Sequence, residues 1–484
     1  MYIGIDLGTS AVKIVLVNND HVLVASTERF FSTERPKPGW AEQDPDVWFE
    51  NVAAGLDELA EKYRDKMAQV AGIGLSGQMH GVVLLDKHDA PVRRAILWND
   101  GRAVAEAAEL NLAEPELVEI AGVQAMPGFT GPKLLWLSRN EPENMDAAKL
   151  LLFPKDYVRM KLCGEKSTDV SDAAGSWLLD QKRRQWSRRS ISACRADNLT
   201  FPEVFESAQP TGVLHTELAN RWALPKGVII AAGAGDVASG CMGIGAVDGK
   251  RGLISLGTSA QVVLSSNVFE PKTKNLAHTF CHALPDTWIQ MAAMLNGTSV
   301  LDTVSCWIGE SDIATMIAAA EKQFDGPGKL LALPYLSGER TPHNDNKIRG
   351  AIIGLSHSSS AADITLAFLE SIVFSLSDGL AALEVEEDLP TEMALVGGGS
   401  KSAFLAELIS SILGIQIVKY EGAEFGPALG AARLARLANS DGSVDTVITP
   451  LPVQRVFEPD AELNKRYEPR IREFRRLYQG LRAD

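Results

Sequence analysis

The sequence predicts an α/β chain built of two similar halves, and three observations carry that prediction. Short runs with apolar period two alternate with stretches of helical spacing, the pattern of strands and helices taking turns. The string "IDLGTS" (5–10) returns as "ISLGTS" (254–259), so that Asp6 falls over Ser255, 249 positions on. The 484 residues, 45% hydrophobic and 23% charged, are enough for two separate cores. A single repeat of this length argues for duplicated domains, not a solenoid. The expected division is 1–246 and 247–484.

Taken in order, residues 1–30 alternate on either side of Gly8-Thr9-Ser10 and again of Asn18-Asn19-Asp20. That predicts a meander of three antiparallel strands with two tight turns. Pro45 to Lys66 has helical spacing behind an Asp44 cap. "QVAGIGLSGQMHGVVLLD" (69–86) reads as strand, loop, strand, and "AILWNDGR" (95–102) as a strand ending in a polar loop. Gly131 to Asn140 and Lys155 to Leu162 read as helices. "GVIIAAGAGDVASGCMGIGAVD" (227–248) is a buried strand, a glycine turn and a small-residue helix. A hairpin at 253–264 restarts the pattern. Residues 391–414 give strand, glycine turn and helix, and 425–438 a small-residue helix.

The net charge of −15 argues against nucleic acid or an anionic membrane as the main partner. The five cysteines are scattered and form no CxxC pair, as suits a reducing compartment. The first residues go straight into a strand pattern, with no charged leader, and no uninterrupted apolar run approaches the roughly 20 residues of a membrane helix. A cytoplasmic protein is expected.

Several strings can carry chemistry. Each Gly-Thr-Ser tip can hold phosphate, since glycine lets the backbone approach, the turn aims N–H groups, and hydroxyls donate more hydrogen bonds. Each can equally be a plain turn. No GxxxxGK[ST] or complete GxGxxG string is present, so "VGGGS" (396–400) is the remaining place for a nucleotide. Asp236 in "GAGDVASG" (233–240) is an approachable carboxylate at a strand-to-helix turn, or simply a helix cap. Gln78, Met79 and His80 in "GQMHG" stand at a strand end, and His80 reads equally as a structural histidine. Trp98, Asn99 and Asp100 in "LWNDGR" suit a many-hydroxyl ligand or ordinary loop hydrogen bonding. His278 and His282 have helical metal spacing but sit in a β or irregular stretch. The run "KRRQWSRR" (182–189) reads as a solvated face.

Together these strings resemble the carbohydrate kinase family that includes glycerol kinase, ribulokinase, gluconokinase and xylulokinase, within the actin-like ATPase superfamily. The resemblance covers essentially the whole chain. "GFTGPKLLWLSRN" (128–140) is similar to that family's first signature, including Lys133 and Trp136. "GWAEQDPDVW" (39–48), "GQMHG", "ILWNDGR", "FCHALP" (280–285), "LPYLSGERTPH" (333–343) and "GPALGAARLA" (426–435) resemble the xylulokinase branch in particular. The resemblance implies two ribonuclease-H-like domains, each a mixed sheet flanked by helices, hinged over a central cleft. It implies sugar held mainly by 1–246 and ATP mainly by 247–484. Asp236 matches the general base, and Asp6 the carboxylate near Mg²⁺ and the phosphates, anchoring the metal partly through water. Met79 and His80 match the substrate pair, with Gln78, Trp98, Asn99 and Asp100 beside them. Gly8, Thr9, Ser10 and Lys13 form the first phosphate loop, and Gly257, Thr258 and Ser259 the second. Gly397, Gly398, Gly399 and Ser400 form the adenosine loop.

Three departures stand out. Ala11 and Ala260 follow the two GTS strings where relatives usually carry glycine, and both are expected in β conformation. Val237 follows the base where xylulokinases commonly have Asn. It either packs in the core or lines the pocket, and the second is expected. The resulting expectation is an ATP- and Mg²⁺-dependent kinase of D-xylulose, with sugar and ATP as partners and a homodimer left open. A kinase of another ketose or polyol, such as ribulose or ribitol, is the alternative. An actin-like chaperone or filament protein lacks the "GQMHG" and "YLSGER" strings, and a catalytically dead sensor would not need both Asp6 and Asp236.

Overall fold

A computed structural model describes residues 1–384 and 389–482. The chain opens with the expected meander, Tyr2–Leu7 (β1), Ala11–Val17 (β2) and Leu23–Phe30 (β3), paired antiparallel. The second turn is fastened by Asn18, whose Oδ1 accepts from the Asp20 and Val22 N–H groups at 2.9 Å. Helix Pro45–Lys62 (α1) starts at Pro45 behind Asp44, whose carboxylate accepts from the Asp46 N–H at 3.1 Å. It ends short of the expected Lys66 because Tyr63 leaves helical geometry at φ −131°.

Strand Gly72–Gly77 (β4) lies parallel to β1. Pro210–Val213 (β5), Ile229–Ala231 (β6) and Ala234–Gly235 (β7) complete a seven-stranded sheet of order β5-β6-β4-β1-β2-β3, with β7 also on β4. The second sheet also has seven strands: Arg251–Leu256 (β8), Ala260–Ser266 (β9), His278–Cys281 (β10), Trp288–Met294 (β11), Glu392–Val396 (β12), Gln416–Tyr420 (β13) and Val453–Phe457 (β14). Its order is β10-β11-β9-β8-β12-β13-β14. From β3 across to β5, and from β11 across to β14, the pairings run antiparallel, antiparallel, parallel, parallel, antiparallel. The internal repeat is therefore a repeat of sheet topology. Ala11 and Ala260 each begin a strand, and neither has positive φ.

The hairpins are similar but not identical. Leu7 faces Val12 in the first and Leu256 faces Ala260 in the second, so one turn is a residue longer. The helices that matter for the site are Thr130–Asn140 (α2), Pro154–Cys163 (α3), Val170–Ala174 (α4), Asp236–Ile244 (α5), Ser299–Ile308 (α6), Ile313–Lys322 (α7), Ala361–Ala382 (α8), Ala403–Leu413 (α9) and Gly426–Ala438 (α10). Helix α8 has the length and hydropathy of a membrane span, but 78% of its apolar window is buried within the protein. Beyond Asp363 in its first turn, two acidic residues interrupt it, Glu370 accepting from the Tyr467 hydroxyl at 2.7 Å and Asp378 paired with Arg475 at 2.6 Å.

Helix α10 comes from the second half of the chain but packs on β1 and β4 of the first sheet and crosses α5. Gly4 and Gly74 let it settle there. A Cβ at either would stand 1.8 Å from a helix carbonyl oxygen, of Ala428 or Ala431 respectively. This packing explains the small residues of "GPALGAARLA", and it fixes α5, which carries Asp236.

Candidate active site

Asp6 is the penultimate residue of β1. Strand pairing sets it opposite Lys13 on β2 and Ser76 on β4, so three polar side chains interrupt an apolar sheet near the end of β1. Its Oδ1 is buried with no hydrogen-bond partner among the described residues. Burial pushes its carboxyl up to about 6, against the opposing pull of Ser76 and Lys13. Lys13 itself reaches the Glu424 carbonyl oxygen at 3.4 Å, just before α10.

Asp236 opens α5. Gly235 occupies the cap position, and Asp236 is the first helical residue, its Oδ1 accepting from the Val237 N–H at 2.8 Å. Burial, and then the negative charge of Asp6, push its carboxyl up to about 7. Two carboxylates far apart in sequence thus share one electrostatic environment. A cavity of about 160 Å³ opens beside Asp236 and is also lined by Val237, Ser255, Gln261 and Val396. Ser255 and Gln261 face each other across β8 and β9 as Asp6 and Lys13 do across β1 and β2. The second half therefore lines this cavity with an uncharged polar pair, at the register where the first half carries Asp6 and Lys13. Val237 lines this cavity and also packs against the surrounding hydrophobic core.

The first Gly-Thr-Ser tip is held from the sugar-string side. The Thr9 carbonyl accepts from Gln43 Nε2 at 2.7 Å, and its hydroxyl accepts from Trp98 Nε1 at 2.9 Å. Ser10 is exposed. At the second tip, the Gly257 carbonyl accepts from the Thr298 N–H at 2.7 Å and the Thr258 carbonyl from the Gly297 N–H at 3.0 Å. This clasp, just before α6, carried no signal in the sequence. Gly397 follows β12 at φ 87°, where a Cβ would stand 2.6 Å from the Leu256 carbonyl oxygen. Gly398, Gly399 and Ser400 form the turn that leads into α9. That turn borders a cavity of about 470 Å³ lined by Leu301, Ile317 and Phe404, a size in the usual range for small-molecule sites.

Gln78 donates to Gln43 Oε1 at 3.2 Å, while its own Oε1, like Asn99 Oδ1, is buried without a partner among the described residues. His80 has φ 69°, and its Nδ1 meets the Gly175 carbonyl oxygen at 2.5 Å. Its ring stacks on Phe129 with centroids 4.5 Å apart. Burial pushes the imidazole down to about 3, so it is neutral near pH 7. Met79 lies beneath, 6% exposed, with its side chain near Gly175 and Gly235.

Lys133, quoted only as a signature residue, proves to be the anchor of this loop. Its fully buried Nζ donates to the carbonyls of His80 (2.8 Å), Leu97 (2.9 Å) and Ile96 (3.2 Å), and burial pushes its pKa down to about 7. One side chain thus ties the "GQMHG" string to the "LWNDGR" string.

One expectation needs correction, and another holds with one exception. Asp100 was expected at the sugar, but both its oxygens are occupied. Oδ2 accepts from the Ala41 N–H at 2.6 Å and Arg102 Nη2 at 2.7 Å, and Oδ1 from Arg102 Nε at 2.8 Å. Burial would raise its carboxyl, but Arg102 and the two N–H groups outweigh it and hold the group below the usual range. Asp100 frames the loop, and Arg102 continues to Glu42 at 2.6 Å. The run 182–189 exposes four of its five charges as expected, and Arg184 is the exception. Arg184 pairs with Glu206 at 2.7 Å and donates to the carbonyls of His282 and Leu284, tying the two halves together. His282 is buried beside this contact, its Nδ1 accepting from the Ala283 N–H, while His278 is buried elsewhere, against Phe129 and Phe280.

Comparison with known proteins agrees with this geometry. The N-terminal domain model of the FGGY family of carbohydrate kinases matches residues 1–243, and the C-terminal domain model residues 252–438. A xylulose kinase of Escherichia coli is 40% identical over 482 residues, 99% of both chains, and one of Klebsiella pneumoniae 38% identical over 100% of this chain and 99% of its own. Among solved structures, a "xyloylose kinase" from Brucella ovis superposes with a TM-score of 0.95 at 39% identity, covering 99% of each chain. A Plasmodium falciparum glycerol kinase shares the fold, with a TM-score of 0.89 at 21% identity, over 100% of this chain and 98% of its own. The chain belongs to the FGGY family of carbohydrate kinases.

Proposed function

We propose that the chain transfers the γ-phosphoryl group of ATP to the C5 hydroxyl of D-xylulose, giving D-xylulose 5-phosphate and ADP. The observation that carries the chemistry is the carboxylate pair, Asp236 pushed up to about 7 with Asp6 beside it. What supports the sugar is full-length likeness to proteins named xylulose kinase.

A sugar hydroxyl is a poor nucleophile near neutral pH, and a carboxylate with pKa near the working pH is well matched to accept its proton. In this reading Asp236 takes that proton as the sugar oxygen bonds to the γ-phosphorus and the bond to the β–γ bridging oxygen breaks, releasing ADP. The orphaned Oδ1 of Asp6 fits a hard divalent cation, held directly or through water. Mg²⁺ bound there with ATP would neutralise phosphate charge, the main demand of phosphoryl transfer. The two Gly-Thr-Ser tips face the phosphates, and Gly397 to Ser400 with the larger cavity take the adenosine. On the sugar side, Gln78 Oε1 and Asn99 Oδ1 are buried acceptors without partners among the described residues, which suits a ligand rich in hydroxyls. His80, neutral and held through Nδ1, leaves Nε2 as a further acceptor. The five unpaired cysteines are in keeping with a cytoplasmic enzyme.

The test is a coupled ADP-release screen over ketoses, aldoses and polyols with Mg²⁺-ATP. D-xylulose should give the highest kcat/KM. A higher value for ribulose, ribitol or another sugar reassigns the substrate, and no release with any sugar removes the kinase reading.

A further inference from the structure

The short helix α4 (Val170–Ala174) touches both sides of the proposed chemistry and is held by neither hairpin. At its start, Ser171 Oγ accepts from the Gly235 N–H at 3.1 Å and donates to Asp169 Oδ2 at 2.5 Å. Gly235 is the residue before Asp236. At its end, the Gly175 carbonyl oxygen meets His80 Nδ1 at 2.5 Å. Below the helix, Lys155 on α3 lies 2.8 Å from Asp169, 2.6 Å from Asp156 and 3.3 Å from Asp172, and Arg159 lies 3.0 Å from Asp156. Ser207 adds a donor to Asp169 at 2.8 Å. Every charged side chain in this group is at most 1% exposed. Two cations stand against three carboxylates, and among the described residues Lys155 is the nearest partner of Asp172, 3.3 Å from its Oδ2.

We propose that α4 is a positioning element that sets the base and the sugar-side histidine relative to each other, with Ser171 holding the Asp236 turn and Gly175 holding His80. This rests on the reading of Asp236 as base and His80 as sugar contact. A buried ion cluster adds little net stability against an apolar substitute, but it has one low-energy arrangement and so suits a rigid footing. The two ends make different contacts, although Met79 lies against both Gly175 and Gly235. Loss of the Ser171 hydroxyl frees the Gly235 N–H and lets the base drift, while the sugar contact is untouched. A methyl at Gly175 would stand 2.7 Å from the His80 ring and 2.8 Å from Met79 Cε, disturbing the sugar side first.

The experiment is steady-state kinetics of Ser171→Ala, Ser171→Cys and Gly175→Ala on whichever sugar the wild type turns over best, with folding checked by near-UV circular dichroism. Ser171→Ala is expected to lower kcat about ten- to hundredfold, the cost of a misplaced catalytic group, with KM for the sugar within about twofold. Ser171→Cys, with a weaker acceptor, should fall between it and wild type, and it carries the test if the alanine variant does not fold. Gly175→Ala should chiefly raise KM. A folded Ser171 variant with kcat within twofold of wild type, or the same kcat and KM changes at both ends, overturns the proposal. The wild-type sugar profile decides the substrate reading on its own, whatever the variants do.

Discussion

The ionisation of Asp236 gives the sharpest quantitative prediction. Its carboxyl is pushed up to about 7, first by burial and then by Asp6. A base must be ionised to accept a proton, so its working form should be lost as pH drops through that value. The ionised fraction is about 0.9 at pH 8, about 0.5 at pH 7 and about 0.09 at pH 6. Between pH 8 and pH 6 the ionised fraction of Asp236 in the metal-free protein should therefore fall about tenfold, while Mg²⁺ held at Asp6 would offset the neighbouring charge and carry the limb of the working enzyme to lower pH. Asp6→Asn removes the neighbouring negative charge and should move the acid limb to lower pH, even while it lowers the rate overall. Each unit of that movement is about 1.4 kcal/mol and would raise the ionised fraction at pH 6 from about 0.09 to about 0.5. The two carboxylates titrate together, so the midpoints belong to the pair. The assay is the titration of the Asp236 carboxyl from pH 5.5 to 9 in the metal-free protein, read by carbon NMR, for wild type and Asp6→Asn. A flat profile between pH 6 and 8, or an acid limb that moves up in Asp6→Asn, refutes the reasoning.

Other substitutions separate framework from chemistry. Asp100→Ala leaves Arg102 buried beside Glu42 with one partner fewer, and should cost about 3–5 kcal/mol in thermal or denaturant unfolding, as breaking a buried pair does. Gly74→Ala drives a Cβ into the Ala431 carbonyl and should lower the unfolding midpoint by several degrees, overpacking costing about 1–3 kcal/mol. An unchanged midpoint would mean that α10 can lift off the sheet freely. Val237→Asn puts an amide donor on the cavity wall and should lower KM for D-xylulose while leaving stability nearly unchanged. A stable variant with the wild-type KM would separate Val237 from the sugar.

The architecture was largely legible because its two halves repeat a local signal. The strands around both Gly-Thr-Ser strings have bounds 249 residues apart, Tyr2–Leu7 over Arg251–Leu256 and Ala11–Val17 over Ala260–Ser266. The one-residue difference in turn length was not legible, since pairing is decided by the fold around the turn. Asp236 stood out as a candidate through its glycine-rich setting, but only the structure separates the first helical position from the cap. Asp100 and Arg184 were misread for a shared reason. A charge shows in the sequence, while its distant partners, Ala41 for one and Glu206 for the other, appear only once the chain is folded. Lys133 reads as one more helix residue until three carbonyls from two strings converge on its amine. One side of the larger cavity comes from α6 and α7, whose residues fell in a stretch that no motif marked.

The measurement that bears most directly on the central claim is phosphoryl transfer to D-xylulose by wild type and Asp236→Ala, with the product followed by phosphorus NMR and ATP affinity by calorimetry. Wild type should place phosphate on the primary C5 oxygen. Asp236→Ala should bind ATP as wild type does while kcat falls about 10²- to 10⁴-fold, the usual cost of losing a general base. A variant that keeps more than a tenth of wild-type kcat, or a product phosphorylated elsewhere, would contradict the account.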